Sequence, residues 1–296
     1  MTSSVAEFFE EVRPAVDQAL RRLIPSEAPC PPVLAEAMRY SVFAGGKRLR
    51  PALCIASYRA FRDDWQRVLS VAASFELIHT YSLIHDDLPS MDNDDFRRGI
   101  PSCHLKFGEA VAILAGDALL TLAFESVSRC LEFPPERILR ASVILATAAG
   151  ASDGMIAGQI LDLEAEGVSI SSNDLEAIHR SKTGAMLEAS IKTGAYLAGV
   201  GEDEMGPIGV YGRNIGLAFQ IVDDILDETA PGDALGKTPG KDRAQRKATY
   251  PALHGIDASR RIVGRLTAEA RDSARELGSR AGLLSGIADY LESRSN

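Results

Sequence analysis

The sequence predicts an all-α fold. Runs rich in Ala, Leu, Glu and Arg recur with apolar residues at helical spacing, and the alternating Val/Ile/Thr runs typical of strands are nearly absent. Between residues 68 and 87, for example, Ala72, Phe75, Ile78 and Ser82 follow each other in steps of three or four, as on one helix face. Ser82 is small and polar at that position, which indicates a cavity beside the helix.

Clusters of Pro and Gly separate the helical runs. They lie at residues 25–32, 44–51, 88–101 and 231–242, and none has the composition of a domain linker. The two longest of them follow paired aspartates directly, which is typical of functional loops rather than passive connections. We therefore expect residues 1–296 to form one all-α domain.

Composition excludes several classes of function. The net charge of -9, from 41 acidic and 32 basic residues, argues against a surface that binds nucleic acid. The apolar run 110–124 is interrupted by Asp117 and is shorter than the ~20 residues that cross a bilayer, so we expect no membrane span. The start of the chain does not resemble a secretory signal. The four cysteines include no close pair, which is typical of free thiols in the cytoplasm: Cys30, Cys54, Cys103 and Cys130.

The first candidate site is the acidic segment HDDLPSMDNDD. Asp86 and Asp87 end an apolar helical run, Pro89 prevents its simple continuation, and Asp92 follows. Negative charge is unfavourable at the carboxyl end of a helix, so a structural cap explains these residues poorly and a bound cation explains them well. A solvated acidic helix end is the alternative for this cluster taken alone.

The second candidate site is FQIVDDILD, in which Asp223 and Asp227 are four residues apart and share a helix face. Gln220 lies one turn before Asp223. A carboxylate row among apolar residues requires a cation, and a ligand set of oxygens without His or Cys suits magnesium shared with substrate phosphates. A calcium loop beginning at Asp92 is excluded, because its twelfth position is Cys103.

Basic residues lie beside both acidic segments. The segment GGKRLRP combines two glycines, which leave room for an anion, with Lys47, Arg48 and Arg50. Arg97 and Arg98 follow the first cluster. Further candidate phosphate donors are Lys182, in SKTG, and Lys237, Lys241 and Lys247 after the second cluster. Each one alone is more often a surface charge.

Taken in order, these motifs resemble those of the trans-isoprenyl diphosphate synthases, also called the polyprenyl synthetase family. The resemblance runs from about residue 43 to residue 251 and is closest to the bacterial farnesyl diphosphate synthases, whose first motif also has two extra residues between its aspartates. It implies a helical bundle around a deep central cavity, with the two acidic clusters facing each other at its mouth. It also implies a homodimer.

The resemblance assigns roles by position. The implied magnesium ligands, with three ions when substrate is bound, are Asp86, Asp87, Asp92, Asp223, Asp224 and Asp227. The implied contacts to an allylic diphosphate are Arg97, Lys182, Lys237 and Lys247, and those to isopentenyl diphosphate are Lys47, Arg50, His79 and Arg98. Thr183 and Gln220 match residues whose oxygens stabilise an allylic cation. Judged without the resemblance, His79 reads as an ordinary core histidine.

The implied reaction is magnesium-assisted ionisation of the allylic diphosphate, followed by attack of the isopentenyl double bond. Tyr81 lies five residues before Asp86, about 7.5 Å along a helix at ~1.5 Å per residue. Its ring is either the floor that stops chain growth at the farnesyl product or an ordinary core side chain.

Four other interpretations are open. A geranylgeranyl diphosphate synthase has the same motifs. A non-catalytic regulatory subunit of a heteromeric prenyl synthase is disfavoured by the intact aspartates. A terpene cyclase would lack the second acidic motif and GGKRLRP, and a purely structural helical protein would bind no metal.

Overall fold

The computed structural model describes residues 2–26, 28–229 and 248–295, and in these ranges the chain is almost entirely helical. The predicted all-α fold is confirmed. The helices are α1 (Thr2–Leu23), α2 (Pro32–Val42), α3 (Leu49–Arg59), α4 (Leu69–Asp86), α5 (Cys103–Phe107), α6 (Glu109–Ser128), α7 (Pro135–Ala149), α8 (Met155–Glu164), α9 (Ser172–His179), α10 (Ala185–Ala198), α11 (Met205–Thr229), α12 (Tyr250–His254), α13 (Ile256–Glu276) and α14 (Gly282–Ser293).

Local sequence determines where several of these helices begin. Pro32 and Pro135 occupy first-turn positions, where a missing amide hydrogen costs nothing and the fixed φ suits a helix. The hydroxyl of Ser171 accepts a hydrogen bond from the amide of Asp174, whose carboxylate accepts one from the amide of Ser171. This reciprocal cap satisfies two amides that the first turn of α9 leaves unpaired.

The core is built around α4, α10 and α11. Helix α4 packs against α6, α3 and α1, while α10 lies against α3 and α11, and α11 packs on α13. Most of α4 is buried, including Phe75, Ile78 and Ile84. Because α4 and α11 end in Asp86 and in the segment from Asp223 to Asp227, the core fixes the helix ends that carry the acidic residues.

A two-stranded hairpin follows the first acidic segment. Strands β1 (Phe96–Arg97) and β2 (Ile100–Pro101) are antiparallel, with Arg97 opposite Ile100. The two turn residues, Arg98 and Gly99, have φ values of 56° and 80°. Two consecutive positive φ values are typical of the tight type I′ turn, which matches the twist of paired strands. The hairpin directs the side chains of Arg97 and Arg98.

Helix α6 is longer than the sequence run suggested. It spans 20 residues and, by length and composition alone, is long and apolar enough to cross a membrane. The expectation that this segment is too short is therefore wrong. A core helix of a soluble protein passes the same test, so the finding is weak evidence for a span. Its solvent-facing side carries Ile113 and Leu114, which are 43% and 58% exposed.

Candidate active site

The loop after α4 folds back onto the end of the helix and brings two aspartates together. The amide of Asp92 donates to the carbonyl of Asp86 at 2.8 Å, and the amide of Asp94 donates to the carbonyl of Asp87 at 3.2 Å. These bonds satisfy carbonyls that the last helical turn leaves unpaired. They also place Asp92 beside Asp86, an arrangement that the sequence spacing alone does not require.

The carboxyl group of Asp86 is in an environment that opposes its charge. Burial raises the pKa of Asp86 to about 6; the charge of Lys182 opposes this rise, and that of Asp92 adds to it. A cation bound between Asp86 and Asp92 would reverse the balance. The arrangement therefore has the electrostatics of a cation site.

Asp87 faces a different partner. Its side chain is 2% exposed, and both of its oxygens accept hydrogen bonds from the Nε of Arg97, at 3.0 and 3.2 Å. Arg97 also donates to Asp94 at 3.2 Å. In these contacts Arg97 neutralises the carboxylate of Asp87, and the expectation that Asp87 is a magnesium ligand stays a prediction. Arg97 in turn is held by two carboxylates.

Arg98 lies against the glycines of the segment GGKRLRP. Its guanidinium donates to the carbonyl of Gly45, and a Cβ on Gly46 would lie only 2.8 Å from the guanidinium carbon. Both glycines have φ values above 100°, a region that other residues rarely adopt. The glycines thus serve the close approach of Arg98 as well as the turn.

The second cluster lies near the end of α11. Asp223 is half-buried and Asp227, one turn later, is exposed. The charge of Asp223 raises the pKa of both Lys47 and Arg50, although burial lowers the pKa of each. Asp223 therefore lies close to the basic loop between α2 and α3, which the sequence places far from it.

Asp224 has structural partners. Its carboxylate accepts hydrogen bonds from His179 Nε2 at 2.9 Å, from the amide of Tyr250 at 3.0 Å and from Gln220 Nε2 at 3.2 Å. Because an ionised carboxylate only accepts, Nε2 of His179 is the donor in this contact. Asp224 is 6% exposed and ties α9, α11 and α12 together. Its expected role as a magnesium ligand likewise stays a prediction.

Lys182 and Thr183 lie in a π-helical turn, Arg180–Gly184, between α9 and α10. Such turns break the regular helix and are frequent at functional sites. Lys182 Nζ donates to Asp162 of α8 at 2.6 Å. A Cβ at Gly158 would lie 2.1 Å from the amide nitrogen of Lys182, so α8 can approach the turn only because position 158 is glycine.

Sequence reasoning missed Gly158, Gln159 and Asp162, three residues of α8 that lie in this region. Asp162 is the ion-pair partner of Lys182, and the amide nitrogen of Gln159 is buried without a hydrogen-bond partner among the described residues. Gly158 and Asp162 are four residues apart, so their shared helix face was available as a signal. The contacts that Gly158 and Asp162 make could not be predicted from the sequence.

The remaining predicted residues divide into three groups. Lys47 is exposed and Arg50 is half-buried at the start of α3, while His79 is half-buried on α4, two turns before Asp86. Tyr81 is 5% exposed, packs edge-to-face on His85 at 5.7 Å between ring centroids, and has a hydroxyl group without a partner among the described residues. Lys237, Lys241 and Lys247 lie outside the described residues.

The donor set suits a shared metal rather than a closed metal cage. Among the described residues, no group of three His, Cys, Asp or Glu side chains is arranged to hold an ion. Each acidic cluster instead offers two carboxylates on one side, Asp86 with Asp92 and Asp223 with Asp227. Magnesium is usually bound in this way, by one or two carboxylates together with water and substrate phosphates.

Comparison with known sequences agrees with this geometry. Residues 31–278 match the sequence model of the polyprenyl synthetase family. The chain is 49% identical to a farnesyl diphosphate synthase of Geobacillus stearothermophilus over 84% of either chain. It is 46% identical to a chloroplastic geranylgeranyl pyrophosphate synthase of Catharanthus roseus, over 88% of this chain and 74% of that one.

A solved structure gives the same result. The chain superposes on a geranyltransferase from Helicobacter pylori, complexed with magnesium and isoprenyl diphosphate, with a TM-score of 0.85 and 32% identity. The match covers 97% of this chain and 95% of that one. Sequence, fold and the paired acidic clusters thus agree, and the chain belongs to the polyprenyl synthetase family as a prenyltransferase.

Proposed function

We propose that this enzyme condenses isopentenyl diphosphate with dimethylallyl and then geranyl diphosphate, giving farnesyl diphosphate. The observation that carries the proposal is the arrangement of two acidic helix ends, one acted on by Lys182 and the other close to Lys47 and Arg50. A substrate diphosphate can be held between carboxylate-bound cations and fixed basic side chains. A second diphosphate requires its own basic residues, and the loop before α3 together with the first turn of α3 supplies them.

We assign the metal-binding role to four carboxylates, those of Asp86, Asp92, Asp223 and Asp227. When bound there, magnesium neutralises the allylic diphosphate and makes it a better leaving group. Asp87 and Asp224 are assigned positioning roles instead, since Arg97 and His179 are their partners. The number of ions, three by resemblance, stays a prediction.

The protein groups around the allylic substrate then have separate tasks. Lys182, held by Asp162, contacts the departing diphosphate, and Arg97 with Lys237 and Lys247 completes that contact by resemblance. Gln220 donates its amide hydrogen to Asp224, which leaves its carbonyl oxygen able to face an allylic cation, as Thr183 does from the π-helical turn. Fixed dipoles of this kind stabilise charge as it develops.

The isopentenyl side uses Lys47, Arg50, His79 and Arg98. Once the allylic carbon–oxygen bond ionises, the isopentenyl double bond attacks the cation, a carbon–carbon bond forms, and the departing diphosphate takes the proton that is lost. The reaction needs the two substrates at a fixed distance and angle, and the basic residues on α3, α4 and the hairpin provide that orientation.

Product length depends on the space that the growing chain finds below the first cluster. Tyr81 is buried one and a half turns before Asp86, and a ring that limits this space would favour a farnesyl product. A geranylgeranyl product is the second candidate, because relatives of both kinds have similar identity, 49% and 46%.

The test is an incubation with labelled isopentenyl diphosphate, magnesium and either dimethylallyl or geranyl diphosphate, with the dephosphorylated product separated by chain length. A fifteen-carbon product from both starters supports the proposal. A twenty-carbon product keeps the prenyltransferase activity but rejects Tyr81 as the floor. If the protein elongates neither starter, it is not the proposed enzyme, and the result favours the regulatory-subunit interpretation.

We further propose a homodimer in the cytoplasm, without a membrane span. The support for the dimer is an apolar outer surface on α6, α7 and α8, whose exposed large side chains are Ile113, Leu114, Leu139, Val143, Ile156, Ile160 and Leu161. Apolar patches of this kind on a folded protein mark sites of association. A second copy covering α6 would also account for the long apolar helix.

A further inference from the structure

The side chain of Arg48 is buried, whereas that of Lys47 is exposed and that of Arg50 is half-buried. Although it lies in the basic segment GGKRLRP, Arg48 is 3% exposed and reaches into the core. Its guanidinium donates at 2.8 Å to three acceptors on three different helices: Asp17 Oδ1 of α1, the carbonyl of Val42 in α2, and Glu76 Oε1 of α4. Three converging hydrogen bonds leave it no freedom to contact a substrate.

The backbone of Arg48 is held in a conformation that residues other than glycine seldom adopt. Its φ and ψ are 52° and 38°, in the left-handed region, and it precedes the first turn of α3. A strained residue persists only when its surroundings fix it. The buried side chain supplies that restraint, and the backbone turn it enforces sends Lys47 and Arg50 toward Asp223, whose charge acts on both.

Glu76 is the central negative charge below these residues. It is 2% exposed on α4, one turn before His79, and it accepts the hydrogen bond from Arg48. Its charge also raises the pKa of Arg50 and of Arg98, although burial lowers the pKa of both. One carboxylate therefore reduces the repulsion among three arginines that would otherwise be buried together.

Arg50 shows why this counter-charge matters. Its Nε is buried and has no hydrogen-bond partner among the described residues, and burial lowers its pKa to about 10. A buried guanidinium nitrogen without an acceptor is ready to bind an anion that enters the site. It must be kept in place until that anion arrives.

We propose that Arg48 and Glu76 are a positioning pair that preorganises Lys47, Arg50 and Arg98 for the diphosphate of isopentenyl diphosphate. The proposal rests on the proposed function for the identity of that ligand. Arg48 fixes the backbone from which Lys47 and Arg50 project, and Glu76 balances the charge of the arginines. Neither residue touches the substrate, so loss of either acts through the residues that do.

The test compares Arg48→Met, Arg48→Lys and Glu76→Gln with the wild-type enzyme, with KM measured for each substrate in turn. Gln keeps an acceptor but removes the charge, and Lys keeps the charge but cannot reach three acceptors. We expect KM for isopentenyl diphosphate to rise about tenfold or more in Arg48→Met and Glu76→Gln, and less in Arg48→Lys. KM for geranyl diphosphate should change less than about twofold.

Arg137→Lys is the matched control. The guanidinium of Arg137 also holds backbone carbonyls, those of Tyr196 and Gly199, but it lies at the start of α7, away from both acidic clusters. Both KM values should be unchanged in this variant. Calorimetric titration of isopentenyl diphosphate into each folded variant gives the same comparison without turnover, and Asp17→Asn provides a milder variant if Arg48→Met fails to fold.

Two results would overturn the proposal. One is an unchanged KM and unchanged binding of isopentenyl diphosphate in folded Glu76→Gln and Arg48→Lys, which would make the pair a plain core ion pair. The other is an equal rise of both KM values, which would indicate general distortion. If the wild-type enzyme neither binds nor elongates isopentenyl diphosphate, the proposed function itself is wrong, and this outcome is distinct from both.

Discussion

Neighbouring aspartates in each acidic cluster have different surroundings. Successive residues of a helix point about 100° apart, so Asp223 and Asp224 cannot face the same ligand. Asp224 is buried and accepts three hydrogen bonds, whereas Asp223 is half-buried and close to the basic loop. The same division holds for Asp86 and Asp87. On the proposed function, one carboxylate of each pair binds the metal and the other positions the elements around it.

This difference predicts that two similar substitutions affect different properties, one mainly stability and the other mainly activity. Asp224→Asn should lower the free energy of unfolding by roughly 1–3 kcal/mol, because an amide nitrogen would face donors that need an acceptor. Asp223→Asn should leave stability nearly unchanged and reduce elongation strongly. Urea denaturation and an elongation assay measure the two effects. A stable Asp224→Asn variant with lost magnesium dependence would show that Asp224 is a ligand after all.

The sequence predicts both acidic clusters as candidate sites but does not distinguish the surroundings of their neighbouring aspartates. The four-residue spacing of Asp223 and Asp227 predicts a shared face, and that reading required no structure. The partners of Asp224, His179 and Tyr250, are distant in sequence, and no local pattern points to them. Arg48 was grouped with Lys47 and Arg50 by composition, because burial of one arginine among three depends on tertiary packing.

At the scale of elements, close approach between helices shapes the site. The π-helical turn that carries Lys182 and Thr183 is packed between α8 and α11. Gly158 lies on one side, and on the other a Cβ at Gly216 would lie 2.9 Å from the Cα of Gly184. Two glycines on different helices thus allow the turn to reach the depth at which Lys182 meets Asp162.

Gly158→Ala tests this packing. The added Cβ would overlap the backbone of Lys182, so we expect a loss of roughly 1–3 kcal/mol in stability from overpacking. Displacement of Lys182 should also lower kcat, by about 100-fold if the shift is near 1 Å. Thermal unfolding and steady-state kinetics measure the two effects.

Gly282→Ala is the control for that variant. Gly282 is also helical, at the start of α14, but a Cβ there meets nothing within 4 Å. Since alanine is the better helix former, this variant should be as stable as the wild type or slightly more stable, with unchanged kcat. Equal behaviour of the two variants would contradict the role given to Gly158.

Proline marks the start of α2 and α7, and the Ser171 cap marks the start of α9. The sequence does not predict the π-helical turn, because Arg180–Gly184 has ordinary helical composition. Its extra residue per turn depends on packing against Gly158 and Gly216, which lie on other helices. The hairpin was expected only as a loop. Its two-residue turn places Arg98 at a positive φ, an unusual position for arginine.

At the scale of the molecule, α6, α7 and α8 carry large apolar side chains that the described residues leave exposed. Such side chains cost free energy in water, and association with a second copy would remove that cost. His85, directly before Asp86, contacts the carbonyl of Ile113 at 3.0 Å. The contact between His85 and Ile113 therefore connects the proposed dimer surface to the first acidic cluster.

Leu114→Glu combined with Leu139→Glu should convert the dimer into a monomer, because each charge would be buried at the interface. Size-exclusion chromatography with light scattering measures the mass directly. Leu253→Glu is the control, since Leu253 is similarly exposed, at 41%, but lies on α12. A monomeric wild type, or a dimer that survives the double substitution, would reject this surface.

The central claim is that the two acidic clusters act together, through magnesium, to join isopentenyl and allylic diphosphates. Its most direct test is the rate of incorporation of labelled isopentenyl diphosphate into longer product by the wild-type enzyme, with and without a chelator, beside Asp86→Asn and Asp223→Asn. We predict elongation by the wild type only with magnesium, and a loss of about 100-fold or more in each variant. Elongation that persists with chelator, or in both variants, would contradict the account.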